Sequence, residues 1–284
     1  MDKGAHCVEI YLFINGISTP TEIPLRDNVV LAPVTAEFDR VKASNLLQND
    51  IDYAAAILYE GTIASQIRIY AADEMGLACT AWNSLWDCIL LGALFHCEVM
   101  GNILCDKPVE QLKSATEMHI TNQAFHAIQS EPYHLTSQDV EWISTHYSAA
   151  HSLMDKDAFM TAVHAMASYK WHSMPRVQLA VVWSGIEALF EVNTEISFRI
   201  SLYIANFLAG EDPVKTKELF DQIRKLYSSR STAVHGGKIK RDINDLVSQS
   251  ARILNQIIRR CSELGSLPET DNLVFPSSFK VTEP

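Results

Sequence analysis

Leu226-Tyr227-Ser228-Ser229-Arg230-Ser231-Thr232-Ala233-Val234-His235-Gly236-Gly237 closes a helical run that starts at Asp212-Pro213. The paired glycines end the helix, since glycine accepts the left-handed turn beyond a helix C-terminus. Further along, Asp242 to Leu264 reads as a last helix, with Ile243, Leu246, Ile253, Leu254, Ile257 and Ile258 on its apolar side. Upstream, helical spacing runs back almost without a break to Thr136-Ser137-Gln138-Asp139, an N-cap signal. Ala158 to His172 forms one helix of this series, and Pro175 opens the next, carrying Val177, Ala180, Val181, Ser184, Ala188 and Leu189. Asn193-Thr194 caps a helix over Ile196 to Leu208, which Gly210 ends. The second half of the chain is therefore expected to be all-helical.

The first half reads differently. Val8 to Ile14 is β-branched and aromatic, and Asn15-Gly16 follows as a turn. Ile23-Pro24-Leu25 and Val29-Val30-Leu31 flank Arg26-Asp27-Asn28 like a hairpin. Helical spacing is expected over Ala36 to Gln48, a strand over Ile63 to Tyr70, and a long helix over Glu74 to Phe95. In that helix Trp82, Trp86, Leu90 and Leu94 recur every fourth residue and read as core, with a sensing pocket as the other use of the stripe. His96 to Cys105 returns as a strand. These patterns predict an α+β chain: a mixed leader over 1–135, a helical domain over 136–265 and an irregular tail over 266–284.

Composition narrows the function. With 48% hydrophobic residues the chain can bury a core, and a net charge of -11 argues against indiscriminate coating of nucleic acid. Met1-Asp2-Lys3-Gly4 opens no secretory signal, and Ile89 to Phe95, the most apolar stretch, is too short for a bilayer that needs about 20 apolar residues. The six cysteines lack CxxC spacing, and seven histidines (His119, His126, His134, His146, His151, His164 and His172) form no HxxxH pair, so neither a metal nor another cofactor is expected. Scattered cysteines in an acidic chain suggest reduced thiols and a cytoplasmic setting. Ser184-Gly185 lacks the GxSxG elbow, and Gly236-Gly237-Lys238 lacks P-loop spacing.

The chemistry concentrates where the helical run ends. Arg230 keeps its charge at any physiological pH and offers a planar fork of donors to a phosphate. His235 exchanges a proton near neutrality. Their five-residue offset puts them roughly 140° apart on a regular helix, so one helix face does not hold both. A two-fold dimer brings a second copy of each to the same axis. Arg224, Lys225, Arg230, Lys238, Lys240 and Arg241 make a basic island with no acid among them, read either as an RNA-contacting surface or as a solvated helix end.

Three blocks carry a resemblance to the HEPN family, the helical nucleotide-binding domains of higher eukaryotes and prokaryotes, and within it to the Apea-like subgroup. They are Val182-Trp183-Ser184-Gly185-Ile186-Glu187-Ala188-Leu189-Phe190, Ile200 to Leu208, and Leu226 to Gly236. Their order resembles a helix with an acidic residue, a second helix, then Arg, four residues and His, over roughly residues 150 to 265. Ile23 to Leu31 and Thr35-Ala36-Glu37-Phe38 resemble the subgroup's leader. The resemblance implies a bundle of four or five helices paired as a homodimer, and metal-independent RNA cleavage at a composite site of Arg230 and His235. It implies supporting roles for Glu187, Ser231 and Tyr227, with Ser231 standing where the family often has Asn, Asp or His. Phage defence and toxin systems, with an antitoxin as regulatory partner, are the family's usual settings. Two further readings stay open. One is a catalytically silent RNA- or protein-binding module; the other takes Glu187–Arg230 as a plain tie between helices and His235 as a cap on helix carbonyls.

Overall fold

The computed structural model describes residues 8–39, 41, 43, 45–47, 50–60, 62–113, 117–121, 131–192, 194–234, 236–237 and 242–274. The chain is α+β and divides into two compact units, Met1–Ser148 and Ala149–Pro284.

The first unit is built on a six-stranded antiparallel sheet. Its strands are β1 (Val8–Asn15), β3 (Ile23–Arg26), β4 (Val29–Pro33), β5 (Ile63–Ala71), β6 (Met100–Cys105) and β7 (Met118–Ile120). They lie in the order β3-β4-β5-β1-β6-β7. A separate parallel pair joins β2 (Ile17–Ser18) to β8 (Tyr133–His134). Central β1 is covered on both sides, which explains its unbroken apolar run. Leu12 lies on the side where Gly101 leaves room for it beside Cys88: a Cβ on Gly101 would come within 2.7 Å of Leu12. Phe13 points to the other side, into a cluster with Phe38, Ala56, Ile103 and Met118. The Asn15-Gly16 turn needs its glycine, because φ is +83° and a Cβ would sit 1.6 Å from the Glu98 carbonyl oxygen.

Among the described residues, two long helices and the start of a third pack into this unit. Helix α1 (Asp50–Glu60) escapes the sequence reading, although Asp50 and Asp52 in its first turn are a fair N-terminal signal. It buries Ala55, Ala56 and Tyr59. The helix expected over Ala36 to Gln48 falls partly on residues outside those described. Helix α2 (Glu74–Phe95) is capped by Asp73, whose Oδ1 accepts from Gly76 N at 2.7 Å. By length and composition it could cross a bilayer, at a mean hydropathy of 1.3 over 18 residues; half of that window is buried.

Only the second half of the fourfold stripe on α2 is core, where the whole stripe was expected to be. Leu90 and Leu94 are fully buried, while Trp82 is 69% exposed. Each step of four residues rotates about 40° around a helix, so three steps carry Trp82 some 120° away from Leu94. Ala81, Ser84, Asp87, Cys88 and Leu91 follow the mixed three-and-four spacing that stays on one side, and all five are buried, as is the whole of the helix from Leu90 to Phe95.

Asp87 in that set is a fully buried carboxylate. Arg26 of β3 donates to it through Nε at 3.1 Å and approaches through Nη2 at 3.0 Å, and Nη2 also reaches Ser84 Oγ at 3.2 Å. The Tyr147 hydroxyl donates to Asp87 Oδ1 at 2.6 Å. Tyr147 belongs to α3 (Ser137–Leu153), which opens on a reciprocal cap between Thr136 and Asp139. This tie, and the edge-on contact of Trp142 with Phe95 at 6.1 Å, place most of α3 with the first unit. The division between units therefore falls inside α3, later than the expected boundary after residue 135.

The second unit is a helical bundle: α4 (Asp157–Ser168), α5 (Pro175–Phe190), α6 (Ile196–Ala209), α7 (Pro213–Val234), α8 (Ile243–Leu264) and the short α9 (Thr270–Val274). Helix α8 buries Leu246, Ile253, Leu254, Ile257, Ile258 and Cys261 against α4 and α5. Gly185 of α5 lets α4 approach, since a Cβ there would meet Ala165 Cβ at 2.7 Å. Trp183 is buried and donates from Nε1 to Ser250 Oγ at 3.0 Å. Two expectations change here. Glu195, at φ 48° and without a side-chain capping hydrogen bond, occupies the N-cap of α6 in place of Asn193-Thr194. The tail is not wholly irregular, because α9 docks on α6, where Asn206 Nδ2 donates to the Leu273 carbonyl at 2.6 Å.

Burial holds His164 of α4 below the ordinary imidazole range. The folded state then binds this proton less readily than the unfolded state. The stability is present above the unfolded pKa of about 6.5 and is lost as pH falls from there through the folded value. His164→Gln is accordingly expected to flatten the decline of Tm between pH 7 and pH 5 by a few degrees, as measured by thermal melts across that range. An unchanged curve would assign the decline to other groups.

Candidate functional site

Helix α7 begins where Asp212 Oδ1 accepts from Val214 N and Lys215 N, both at 3.0 Å. It buries Ile223, Leu226, Tyr227 and Ala233, which turns Arg230 toward α5. There Arg230 Nη2 meets Glu187 Oε1 at 3.1 Å and Oε2 at 3.2 Å. The two side chains keep 19% and 33% of their surface, so the pair lies between the exposed and fully buried limits. Removing one partner is worth about 1–3 kcal/mol on that scale. Tyr227, one turn earlier, stands 5.6 Å from the Arg230 guanidinium and packs edge-on to Trp183 at 5.2 Å. Its hydroxyl is pushed to higher pKa by burial, then by the charge and hydrogen bonding of Glu187, with Arg230 opposing. Tyr227 therefore stays a neutral donor at physiological pH. Of the Arg230 nitrogens, Glu187 meets Nη2, and Arg230 Nε is buried without a hydrogen-bond partner.

The end of α7 is closed by backbone. Gly237 N donates to Thr232 O at 2.8 Å and Gly236 N to Ala233 O at 3.3 Å, with Gly236 at φ +76°. Arg176 of α5 reinforces this closure: Nη1 donates to Ala233 O and Nη2 to Gly237 O, the latter at 3.1 Å. The sequence reading passed over Arg176. Its signal was a misplaced charge, since a cation in the first turn of a helix opposes the helix dipole and so needs a partner elsewhere. The last turn of α7 has no basic residue of its own, and Arg176 supplies that cation from across the bundle. Arg176→Ala is expected to lower Tm by several degrees and to raise amide exchange at Gly236 and Gly237, the latter measured by hydrogen exchange. Unchanged protection there would show that the glycine closure stands alone.

Of the expected site residues, the structure brings Arg230, Glu187 and Tyr227 together. Ser231 is half-buried beside them on α7. Arg224 and Lys225 are exposed on another side of that helix, roughly 120° and 140° around from Arg230. The basic island is thus divided between faces. His235, Lys238, Lys240 and Arg241 lie outside the described residues. The carbonyls of Thr232 and Ala233 already have backbone donors, and Ala233 has Arg176 as well, so capping those two groups does not require an imidazole. Among the described residues no three His, Cys, Asp or Glu side chains converge as metal ligands. Comparison of the chain with protein-family models, with curated proteins and with solved structures finds no match.

Proposed function

We propose that this chain is a HEPN-type, metal-independent endoribonuclease acting as a homodimer. The observation that carries this reading is the Glu187–Arg230–Tyr227 cluster, built one turn before a helix end that glycines and Arg176 hold closed. A carboxylate fixes the guanidinium through Nη2, and the side chain keeps 19% of its surface toward an incoming oxyanion. Such a pre-oriented cation suits charge developing on a phosphorane.

In the proposed reaction, neutral His235 takes the proton of a ribose 2'-hydroxyl. The 2'-oxygen bonds to phosphorus, and the bond from phosphorus to the 5'-oxygen breaks. The partner protomer's imidazolium, from the same position of its own chain, gives a proton to that leaving oxygen. The products are a 2',3'-cyclic phosphate and a 5'-hydroxyl. Phage defence or a toxin system, with an antitoxin or other regulatory partner in the cytoplasm, is part of the proposal. RNA digestion with a chelator present tests it. Cleavage of RNA but not DNA, with cyclic-phosphate ends, is expected, and a requirement for added Mg²⁺ would remove the reading.

One observation favours a second reading, a catalytically silent RNA- or protein-binding module. Glu187 offsets the charge of Arg230, as a tie between α5 and α7 would. RNA binding without cleavage by the wild-type chain selects it.

A further inference from the structure

The outward side of α7 carries two adjacent rows at four-residue spacing: Phe220, Arg224 and Ser228 in one, Asp221, Lys225 and Ser229 in the other. At the head of the first row the Arg224 guanidinium lies over the Phe220 ring, 6.0 Å from its centroid. Phe198 of α6 meets Phe220 edge-on at 5.6 Å while half of its own surface remains exposed. Beside this stack, Asp221, Arg224, Lys225, Ser228 and Ser229 line an open depression of about 450 Å³. A solvated helix face accounts for Asp221 four residues before Lys225, but it calls for neither a guanidinium over a phenyl ring nor a half-exposed phenylalanine against that ring. Here two consecutive cations stand beside the Ser228 hydroxyl and the half-exposed Phe198 ring, in a chain of net charge -11, while the Ser229 hydroxyl is committed to the Lys225 carbonyl at 2.9 Å.

We propose that this face is a docking site for single-stranded RNA, separate from the Arg230 cluster. A base stacks on the Phe198 and Phe220–Arg224 surface, and the adjoining phosphate sits in the depression. Lys225 and Arg224 face its oxygens there, with the Ser228 hydroxyl as a further donor. Stacking plus a cationic track is how single strands are held without reading sequence. A plain polyanion would use the cations but gain nothing from Phe198. A duplex has its bases already stacked and cannot offer one to the ring. Asp221 opposes the phosphate, which sets a sign the experiment can read. The proposal rests on the reading of the chain as RNA-acting, and extends it. Lying some 120–140° around α7 from Arg230, the site would hold the strand away from the scissile bond and so govern binding without entering the chemistry.

Binding of a fluorescein-labelled 2'-O-methyl oligouridine 12-mer to the full chain, followed by anisotropy, tests the site without cleavage, because that probe lacks the attacking hydroxyl. The double variant Arg224→Ala, Lys225→Ala is expected to weaken Kd about tenfold and to lower the slope of log Kd against log salt by about 1. Phe198→Ala is expected to weaken Kd about fivefold or more with the salt slope unchanged. Asp221→Asn is expected to tighten it two- to threefold, a gain that damaged folding cannot imitate. Wild-type affinity in all of these variants overturns the proposal, as does displacement of the probe by polyglutamate at equal charge concentration. The two readings separate cleanly. Altered binding in a chain that never cleaves RNA keeps the docking site and removes the nuclease, whereas cleavage with unaltered binding keeps the nuclease and removes the docking site.

Discussion

Replacing His235 with alanine is expected to slow RNA cleavage by about 10²- to 10⁴-fold with chelator present, the usual range for loss of a positioned acid–base group. The variant spares the described closure of the helix. The end of α7 is closed by Gly236, Gly237 and Arg176, so deleting the imidazole leaves the hydrogen bonds of Thr232 and Ala233 in place. Arg230→Ala is less clean, because it also breaks the tie to Glu187 and leaves a carboxylate without its cation. The wild-type rate should follow a bell in pH, since one imidazole must be neutral and the other protonated. In His235→Ala the residual rate should lose that bell. Two further results bear on the same mechanism. A strictly monomeric chain cannot assemble a paired site, which a size measurement in solution decides. Cleavage by His235→Ala at the wild-type rate would sink the proposed chemistry outright.

Asp87→Ala is expected to destabilise the first unit by about 3–5 kcal/mol, the cost of breaking a buried ion pair from one side. Against a typical total of about 5–15 kcal/mol, that corresponds to a fall in Tm of roughly 10–15 °C. The reason lies in what remains. Asp87 is the common acceptor of Arg26 and the Tyr147 hydroxyl, and its loss takes the counter-charge from a part-buried guanidinium and the carboxylate from a buried phenol. Burial first, and then the Asp87 charge, push the Tyr147 phenol well above its ordinary pKa, so it stays protonated and donates to the carboxylate. Replacing both ends of the pair, Asp87→Leu with Arg26→Met, should cost less than Asp87→Ala alone, because no charge is then left unpaired. Thermal or urea melts of the two variants give the comparison. A double variant as unstable as the single one would mean that shape, not charge, sets the cost.

Much of the fold was legible because it is local. Strand β1, the β3–β4 hairpin, β5 and the long helices α2, α7 and α8 each carry an apolar period and terminal residues that act within a turn or two. Legibility failed where the deciding contact comes from elsewhere in the chain. Helix α1 packs through alanines and one tyrosine, a pattern too weak to stand out without the sheet it covers. The α2 stripe misled because fourfold spacing drifts around a helix, and only the sheet shows which side is buried. The N-cap of α3 was readable, but its attachment to the first unit depends on Tyr147 reaching Asp87, sixty positions away.

The candidate site divides in the same way. The chain by itself determined an α+β order of elements, a helix ending at the paired glycines, and the spacing of Arg230 from His235, since dihedral preference and side-chain period act over a few residues. Tertiary structure alone decided that Glu187 holds Arg230, that Arg176 clasps the far end of α7, and that Arg224 and Lys225 look away from both. Those contacts join separate helices. Which pairs of side chains meet depends on how helices rotate against one another in a packed core, and no period within a single helix encodes that angle.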